Sequence, residues 1–344
     1  MFIVVEGTDA SGKSTLVSEI ERQLKIMFPN KNVEFFHKSK PDMMTRRWVL
    51  NDYVNSIQDI DWSKKLAVAD RWHWGEITYA PLKRPESNSD GYGLLGVAGW
   101  RWVELFLASR GVHQFWLYQP LDVIQRRLSS RGDDYVTSDE LGKILGQYRL
   151  AADEVATEFE MLNPSSESLQ DIPMLAERII SNSHYAATKV DSLKQFPWYI
   201  GRYDAQVLLV GDRQNIKEAY GKETILPFMP VDGNSGDFLL SSLPGNSWKT
   251  MGIINVNDEH VTQVDELWQV LRRPRIIALG SQAEKGLKAH GFKEHQYVVL
   301  PHPQYVRRFS SARKLDYGHE IFKQSLRYDR ESQWILRNKH TRRS

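Results

Sequence analysis

Two hydrophobic periods alternate along the first 180 residues. Phe2-Ile3-Val4-Val5 is a short, wholly apolar run, the pattern of a strand covered on both faces. A Gly-rich turn follows. Residues 13–25 then place Leu16, Ile20 and Leu24 four apart, which predicts a helix. Val33–Phe36 and Leu66–Ala69 read as strands. Residues 100–110 read as a helix stopped by Gly111, and Gln114–Tyr118 as a fourth strand closed by Pro120. Helices are expected at about 121–130, 138–160 and 172–182. Strands alternating with helices imply an α/β domain, a parallel sheet with helices on both faces.

From about residue 185 the texture changes. Residues 188–203 are rich in aromatics and turns, and 221–250 carry many Gly, Pro, Ser and Asn and read as loops. Val207–Val210, Ile253–Val256, Arg275–Leu279 and Tyr297–Leu300 read as buried strands, with a helix at about 282–290 between the last two. A second α/β unit is expected. The domain reading is 1–185, a linker at 186–202, a second domain at 203–310 and a basic segment at 311–344. There is no internal repeat and no low-complexity tract.

The length of 344 residues fits two domains, and 26% charged with 41% hydrophobic residues is ordinary for a globular chain. The absence of cysteine excludes disulfides, thiolate zinc sites and a cysteine nucleophile, and fits a reducing cytosol. No apolar run reaches the roughly 18 residues needed to span a membrane. The N-terminus lacks the basic leader of a signal peptide. A cytoplasmic protein without a membrane partner is therefore expected. Net charge is +2, but from Arg307 onward eleven Lys/Arg face four acids. So basic a segment beside a near-neutral remainder points to a polyanion partner, or else to a solvated helix with a frayed tail.

The sharpest motif is Gly7-Thr8-Asp9-Ala10-Ser11-Gly12-Lys13-Ser14, followed by Thr15, between an apolar strand and a helix. It matches the phosphate-binding pattern G-x-x-x-x-G-K-[ST]. Backbone N–H groups of such a loop cradle phosphate oxygens, and the helix N-terminus favours anions. Lys13 would reach the β- and γ-phosphates of ATP, and Ser14 would hold Mg²⁺. Asp70-Arg71 ends a strand; Asp70 would bind Mg²⁺ through water and Arg71 an acceptor phosphate, the plainer alternative being a helix cap with a surface charge. Arg126, Arg127 and Arg131 precede Gly132-Asp133-Asp134 and would neutralise charge on a transferring phosphoryl group, or else form an exposed basic face. Trp72, Trp74, Tyr79 and Tyr148 are candidates for stacking on a base, although each is of a type more often found in a core.

Glu6 to Thr15 resembles the opening of the thymidylate kinases. The order of the remaining motifs resembles theirs too: Lys38-Ser39-Lys40-Pro41, Asp70-Arg71-Trp72, then arginines from Arg126 to Asp134. The resemblance covers about residues 1–183. It implies that Asp9, Lys40, Arg71, Trp72 and Tyr79 lie on the acceptor side, and that Lys13, Asp70, Arg71, Arg127 and Arg131 serve transfer. The chain departs from that family where the acceptor should bind. It has Lys-Ser-Lys-Pro in place of Arg-Glu-Pro, extra aromatics after Arg71, and a Gly-rich stretch at 83–99.

Residues 203–309 weakly resemble the uracil-DNA glycosylase superfamily, through Leu208–Asp212, Arg275–Gly280 and Leu300-Pro301-His302-Pro303. In that superfamily the first loop positions the attacking water, and the His-Pro loop stabilises the departing base and grips DNA. Here both motifs are altered, with Gly-Asp-Arg-Gln-Asn after the first strand and His-Pro-Gln after the last. Asp212 and His302 are therefore expected to serve base binding without cleavage, the plainer alternative being a packing domain with a satisfied histidine. Three functions follow. One is a kinase phosphorylating the hydroxymethyl group of 5-hydroxymethyluracil in phage DNA, since phage enzymes of that kind resemble thymidylate kinases. Another is a thymidylate or other deoxynucleoside monophosphate kinase acting on free nucleotides. The last is an ATP-regulated nucleic-acid-binding protein.

Overall fold

The computed structural model describes residues 1–38, 45–58, 60, 64–87, 90–131, 136–163, 171–213, 226–230 and 233–326. The chain forms two compact units, Met1–Asp191 and Ser192–Ser344.

In the first unit, β1 (Phe2–Glu6), β2 (Asn32–His37), β3 (Lys65–Asp70), β4 (His113–Leu117) and β5 (Glu158–Leu162) form a wholly parallel sheet in the order β2-β3-β1-β4-β5. One face packs on α1 (Lys13–Met27) and α8 (Ile172–Lys189): Ile3, Val5 and Phe115 meet Leu16, Ile20, Ala176 and Ile179. The central strand is apolar because both its faces are covered. Between β2 and β3 lies α2 (Arg46–Gln58). Short helices α3 (Gly75–Thr78) and α4 (Ala80–Lys83) follow β3, then α5 (Gly96–Ser109). Beyond β4 come α6 (Leu121–Arg131) and α7 (Ser138–Asp153). On this side of the sheet Trp74, Trp100, Trp116, Ile124, Ile144 and Tyr148 form a second core.

The helix expected over 138–160 is shorter. Thr137 and Glu140 form a capping box that starts α7, as T-x-x-E predicts. It stops at Asp153 because the next residues are held from elsewhere. The N–H groups of Ala156 and Thr157 both donate to Glu104 on α5, at 2.7 and 3.3 Å. That turn launches β5, a strand that the sequence pattern does not separate from the helix.

In the second unit, β6 (Ile200–Gly201), β7 (Val207–Gly211), β8 (Met251–Asn255), β9 (Arg275–Leu279) and β10 (Tyr297–Leu300) form a sheet in the order β10-β9-β7-β8-β6. All neighbours are parallel except β6, which pairs antiparallel with β8. The segment expected as a linker at 186–202 instead carries the end of α8 and β6, with Phe196, Tyr199 and Ile200 buried. The stretch at 221–250 is not all loop. It contains α9 (Ser235–Ser242), which Asn234 caps by accepting from Asp237 N at 2.8 Å. Further helices are α10 (Val264–Val270), α11 (Ser281–Ala289), α12 (Pro303–Phe309) and α13 (Ser311–Lys314), and residues 317–326 are helical as well. Among the described residues no helix is long and apolar enough to cross a membrane.

Candidate phosphate and acceptor site

The loop after β1 turns sharply through Gly7, at φ 152°, where a β-carbon would fall 2.8 Å from the Leu117 carbonyl oxygen. Only glycine passes the end of β4 this closely. Tyr148 fixes the turn from below by donating its hydroxyl to Gly7 O at 2.8 Å. Ala10 and Gly12 are also left-handed, and Gly12 caps α1. The unpaired N–H groups of the first helical turn thus open toward the loop. Lys13 is buried and donates from Nζ to Thr8 O at 2.6 Å. Burial pushes its ammonium down to about 7, Arg71 adds to this, and Asp70, Asp9 and Glu6 oppose it. The Ser11 hydroxyl is buried without a partner among the described residues. A buried lysine and an unmatched hydroxyl in a glycine-shaped cradle fit a polyphosphate.

Asp70, at the end of β3, is reached by Ser14 Oγ at 3.3 Å, and His37 Nδ1 lies 3.7 Å from the same oxygen. Asp70 Oδ1 is buried with no partner among the described residues. Two hard oxygen donors beside the phosphate cradle fit Mg²⁺, which also takes phosphate oxygens and water. The described residues contain no cluster of three or more His, Asp or Glu that could hold a metal ion.

Arg71 follows at φ 66° and pairs through Nη2 with Asp9. Tyr79 donates to the other Asp9 oxygen at 3.0 Å, and Arg71 Nη2 also reaches the Tyr79 hydroxyl at 3.3 Å. Burial works against ionisation of Asp9. The charges of Arg71 and Lys13 and the bonds from Arg71 and Tyr79 outweigh it and hold its pKa below the usual carboxylate value. Arg127 extends from α6 to the loop, donating to Ser11 O at 3.3 Å. The structure therefore brings Asp9, Lys13, Ser14, Asp70, Arg71, Tyr79 and Arg127 to one edge of the sheet.

Other candidates lie elsewhere. Trp72 is in the core, its ring closed in by Phe2, Phe36 and Tyr53 at centroid distances of 5.2, 5.7 and 5.5 Å. A large indole directly after a buried strand gains more from this burial than from water, so it offers no stacking face to an acceptor. Trp74 and Tyr148 are likewise fully buried. Lys38 folds back onto Asp52 Oδ2 at 2.6 Å and Ser56 Oγ at 2.8 Å. Lys40, the Arg131 side chain, Gly132, Asp133 and Asp134 lie outside the described residues.

Glu6 opens the phosphate-loop motif, and the sequence pattern assigns it no role. It is fully buried at the end of β1, and its Oε1 accepts from Trp72 N at 2.7 Å. Burial pushes its carboxyl up to about 7, against the Trp72 N–H, Arg71 and Lys13. A lone acid closing an apolar strand was the legible signal.

In the second unit the C-terminal ends of the parallel strands gather Asp212, Asn255, Asn257, Gly280 and His302. Ligands of open α/β sheets bind outside these ends. Asn257 donates from Nδ2 to Asp212 Oδ1 at 2.7 Å, and its backbone N donates to Asp212 O at 2.9 Å. His302 caps α12, its Nδ1 accepting from Gln304 N at 3.2 Å. That bond leaves Nε2 as the donor of the neutral ring. Burial lowers its pKa and Asp212 opposes the shift. Sequence reasoning missed Phe228 and Asn255. A β-carbon on Gly211 would fall 2.5 Å from both Phe228 Cζ and Asn255 Oδ1, so glycine lets an aromatic ring and an amide meet over β7. Both are buried.

No family model matches the chain. It is 25% identical over 147 residues to the SPbeta prophage-derived uncharacterized protein YorR of Bacillus subtilis (strain 168), covering 43% of this chain and 79% of that one. Among solved structures it is similar to the YorR protein from B. subtilis in complex with phosphorylated GDP, with 19% identity, 54% of this chain, 98% of that chain and a TM-score of 0.42. It is also similar to deoxyadenosine kinase from M. mycoides with bound dATP, with 13% identity, 53% of this chain, 100% of that chain and a TM-score of 0.37.

Proposed function

We propose that the chain is an ATP-dependent phosphotransferase whose acceptor is a pyrimidine, and that the acceptor is the hydroxymethyl group of 5-hydroxymethyluracil in DNA. One observation carries the transfer reading. Lys13 and Ser14 on α1, Asp70 at the end of β3, Arg71 just after it, and Arg127 on α6 converge on a single glycine-shaped loop. Phosphoryl transfer asks a protein mainly for positioning and charge stabilisation, and these groups supply both. The loop N–H groups and Lys13 hold the β- and γ-phosphates. Arg71 and Arg127 face the charge that develops on the transferred group. The acceptor oxygen forms its bond to the γ-phosphorus as the bond to the β–γ bridging oxygen breaks; ADP leaves and the hydroxyl proton passes to water. Ser14 and Asp70 would hold Mg²⁺, which would supply neutralisation of the phosphate charge.

Support for an acceptor in DNA comes from the second unit and the basic segment. Phe228, Asn255, Asp212 and His302 bring an aromatic ring, an amide and a donor to one sheet edge, which suits a planar base taken out of a duplex. The prophage origin of the sequence relative agrees with a phage DNA substrate. A free deoxynucleoside monophosphate is the second reading, favoured by Asp9. Its carboxylate is held ionised beside Arg71, where a sugar hydroxyl would be recognised, and a nucleotide within DNA has no free 3′-hydroxyl. Incubation with γ-labelled ATP and, separately, dTMP, 5-hydroxymethyl-dUMP and 5-hydroxymethyluracil-containing DNA decides. Label in the DNA alone supports the first reading, label in a free nucleotide the second, and label in none overturns both.

A further inference from the structure

Arg71 holds a left-handed backbone, with φ 66°. For a residue with a β-carbon this conformation is strained and persists only where neighbours over-determine it. Two bonds from β1 do so. Arg71 N donates to Val5 O at 3.0 Å, a bond that any residue at position 5 would supply. Trp72 N donates to Glu6 Oε1 at 2.7 Å, a bond that depends on the side chain. Glu6 is fully buried in a strand whose other members are all apolar. An apolar residue would fill that position without the cost of desolvating a carboxyl, so the acid must serve something local. Tyr53 donates to Trp72 O at 3.4 Å from the other side, and the Trp72 ring is packed among Phe2, Phe36 and Tyr53. With Trp72 fixed, the Arg71 guanidinium is directed to Asp9 and Tyr79.

We propose that Glu6 is a positioning residue for phosphoryl transfer, accepting the Trp72 amide hydrogen and so locking the turn that aims Arg71 at the acceptor and the transferring group. This rests on the phosphotransferase reading above. Glu6→Leu removes the acceptor, whereas Glu6→Gln keeps an amide oxygen that can take its place. Glu6→Leu should lower kcat about 100-fold with KM for ATP changed less than about threefold, and Glu6→Gln should lower kcat only about threefold. In an Arg71→Ala background, Glu6→Leu should cost little more, because residues acting as one unit are not additive. Hydrogen exchange at the Trp72 amide reads the same bond without activity. It should be slow in the parent protein and in Glu6→Gln, and faster in Glu6→Leu.

A parent without phosphoryl transfer overturns both this inference and the phosphotransferase reading. An active parent with Glu6→Leu within twofold overturns the inference alone. So does a Glu6→Gln loss as large as that of Glu6→Leu, or an equal Glu6→Leu loss in the Arg71→Ala background. Should Glu6→Leu fail to fold, the parent decides: Trp72 exchange as fast as an exposed loop overturns the proposal.

Discussion

The guanidinium of Arg71 pairs with the carboxylate of Asp9, joining the turn after β3 to the phosphate loop after β1. Tyr79 completes the triangle through its hydroxyl. Both partners are reached through one nitrogen, Nη2, of a planar guanidinium whose reach and in-plane donor geometry the ammonium of a lysine does not reproduce. Arg71→Lys should therefore lower kcat by about 100-fold while nucleotide affinity changes less than about threefold. Steady-state kinetics beside a nucleotide titration check this. Equal losses in both would place Arg71 on the nucleotide rather than on transfer.

Lys13 should take up a proton when a triphosphate binds. Its pKa is pushed down to about 7, first by burial and then by Arg71, so at pH 7 the ammonium is about half formed. Phosphate oxygens at Nζ favour the charged form and raise that value. Net uptake should thus grow from small at pH 6 toward about one proton at pH 8. Titration calorimetry of ATP in two buffers of different ionisation enthalpy measures it. Lys13→Ala should abolish this uptake and lower transfer by about 100-fold or more. Uptake identical in parent and variant would remove Lys13 from the nucleotide.

Much of this site was legible in the sequence because its geometry is local. Gly7 to Ser14 between an apolar strand and a helix permits one backbone course, and Asp70-Arg71 lies at the end of the neighbouring strand. What was not legible depends on distant partners. Trp72 reads as a candidate stacking face, but Phe2, Phe36 and Tyr53 enclose it, and no local pattern announces that. β5 was hidden inside a helical pattern because Glu104, some fifty positions earlier, holds the turn that precedes it. Phe228 meets Asn255 only because β7 and β8 are neighbours and Gly211 has no side chain.

Glu6 and Lys13 should give the stability a defined pH dependence. The Glu6 carboxyl is raised to about 7, chiefly by burial, so the native state keeps its proton where the unfolded chain has lost it. The stability it contributes is complete below its unfolded value of 4.5 and is lost as pH rises toward about 7, by at most about 3 kcal/mol. Lys13 has the opposite sign. Its lowered value makes stability rise from about 7 toward its unfolded value of 10.5. These two groups together predict a minimum near neutrality. Urea unfolding at pH 5, 7 and 9 tests this. Glu6→Gln should remove the fall between pH 5 and 7 and leave the rise above it. A parent whose stability climbs from pH 5 to 7 while Glu6→Gln follows the same slope would show that Glu6 ionises without penalty.

The second unit and the C-terminal segment should separate in a binding experiment. Residues 327–344, outside the described part of the chain, carry Arg327, Arg330, Arg337, Lys339, Arg342 and Arg343. Side chains on phosphates position a protein but carry no base code, so deleting this segment should weaken DNA binding alike for all sequences. The slope of log affinity against log salt should fall by about 0.9 for each duplex phosphate that the segment no longer neutralises. Phe228→Ala removes a ring from the strand ends where Asn255, Asp212 and His302 gather. Base–aromatic stacking is worth about 1–3 kcal/mol, so this change should reduce preference for a 5-hydroxymethyluracil site by about tenfold and leave the salt slope nearly unchanged. Binding to matched duplexes with and without the modified base, across a salt series, measures both quantities. A truncation that leaves the slope unchanged would make the basic segment a solvated end. A Phe228→Ala protein that keeps its preference would mean that the base is not held at these strand ends, and the acceptor would then have to be recognised by the phosphate-binding unit alone.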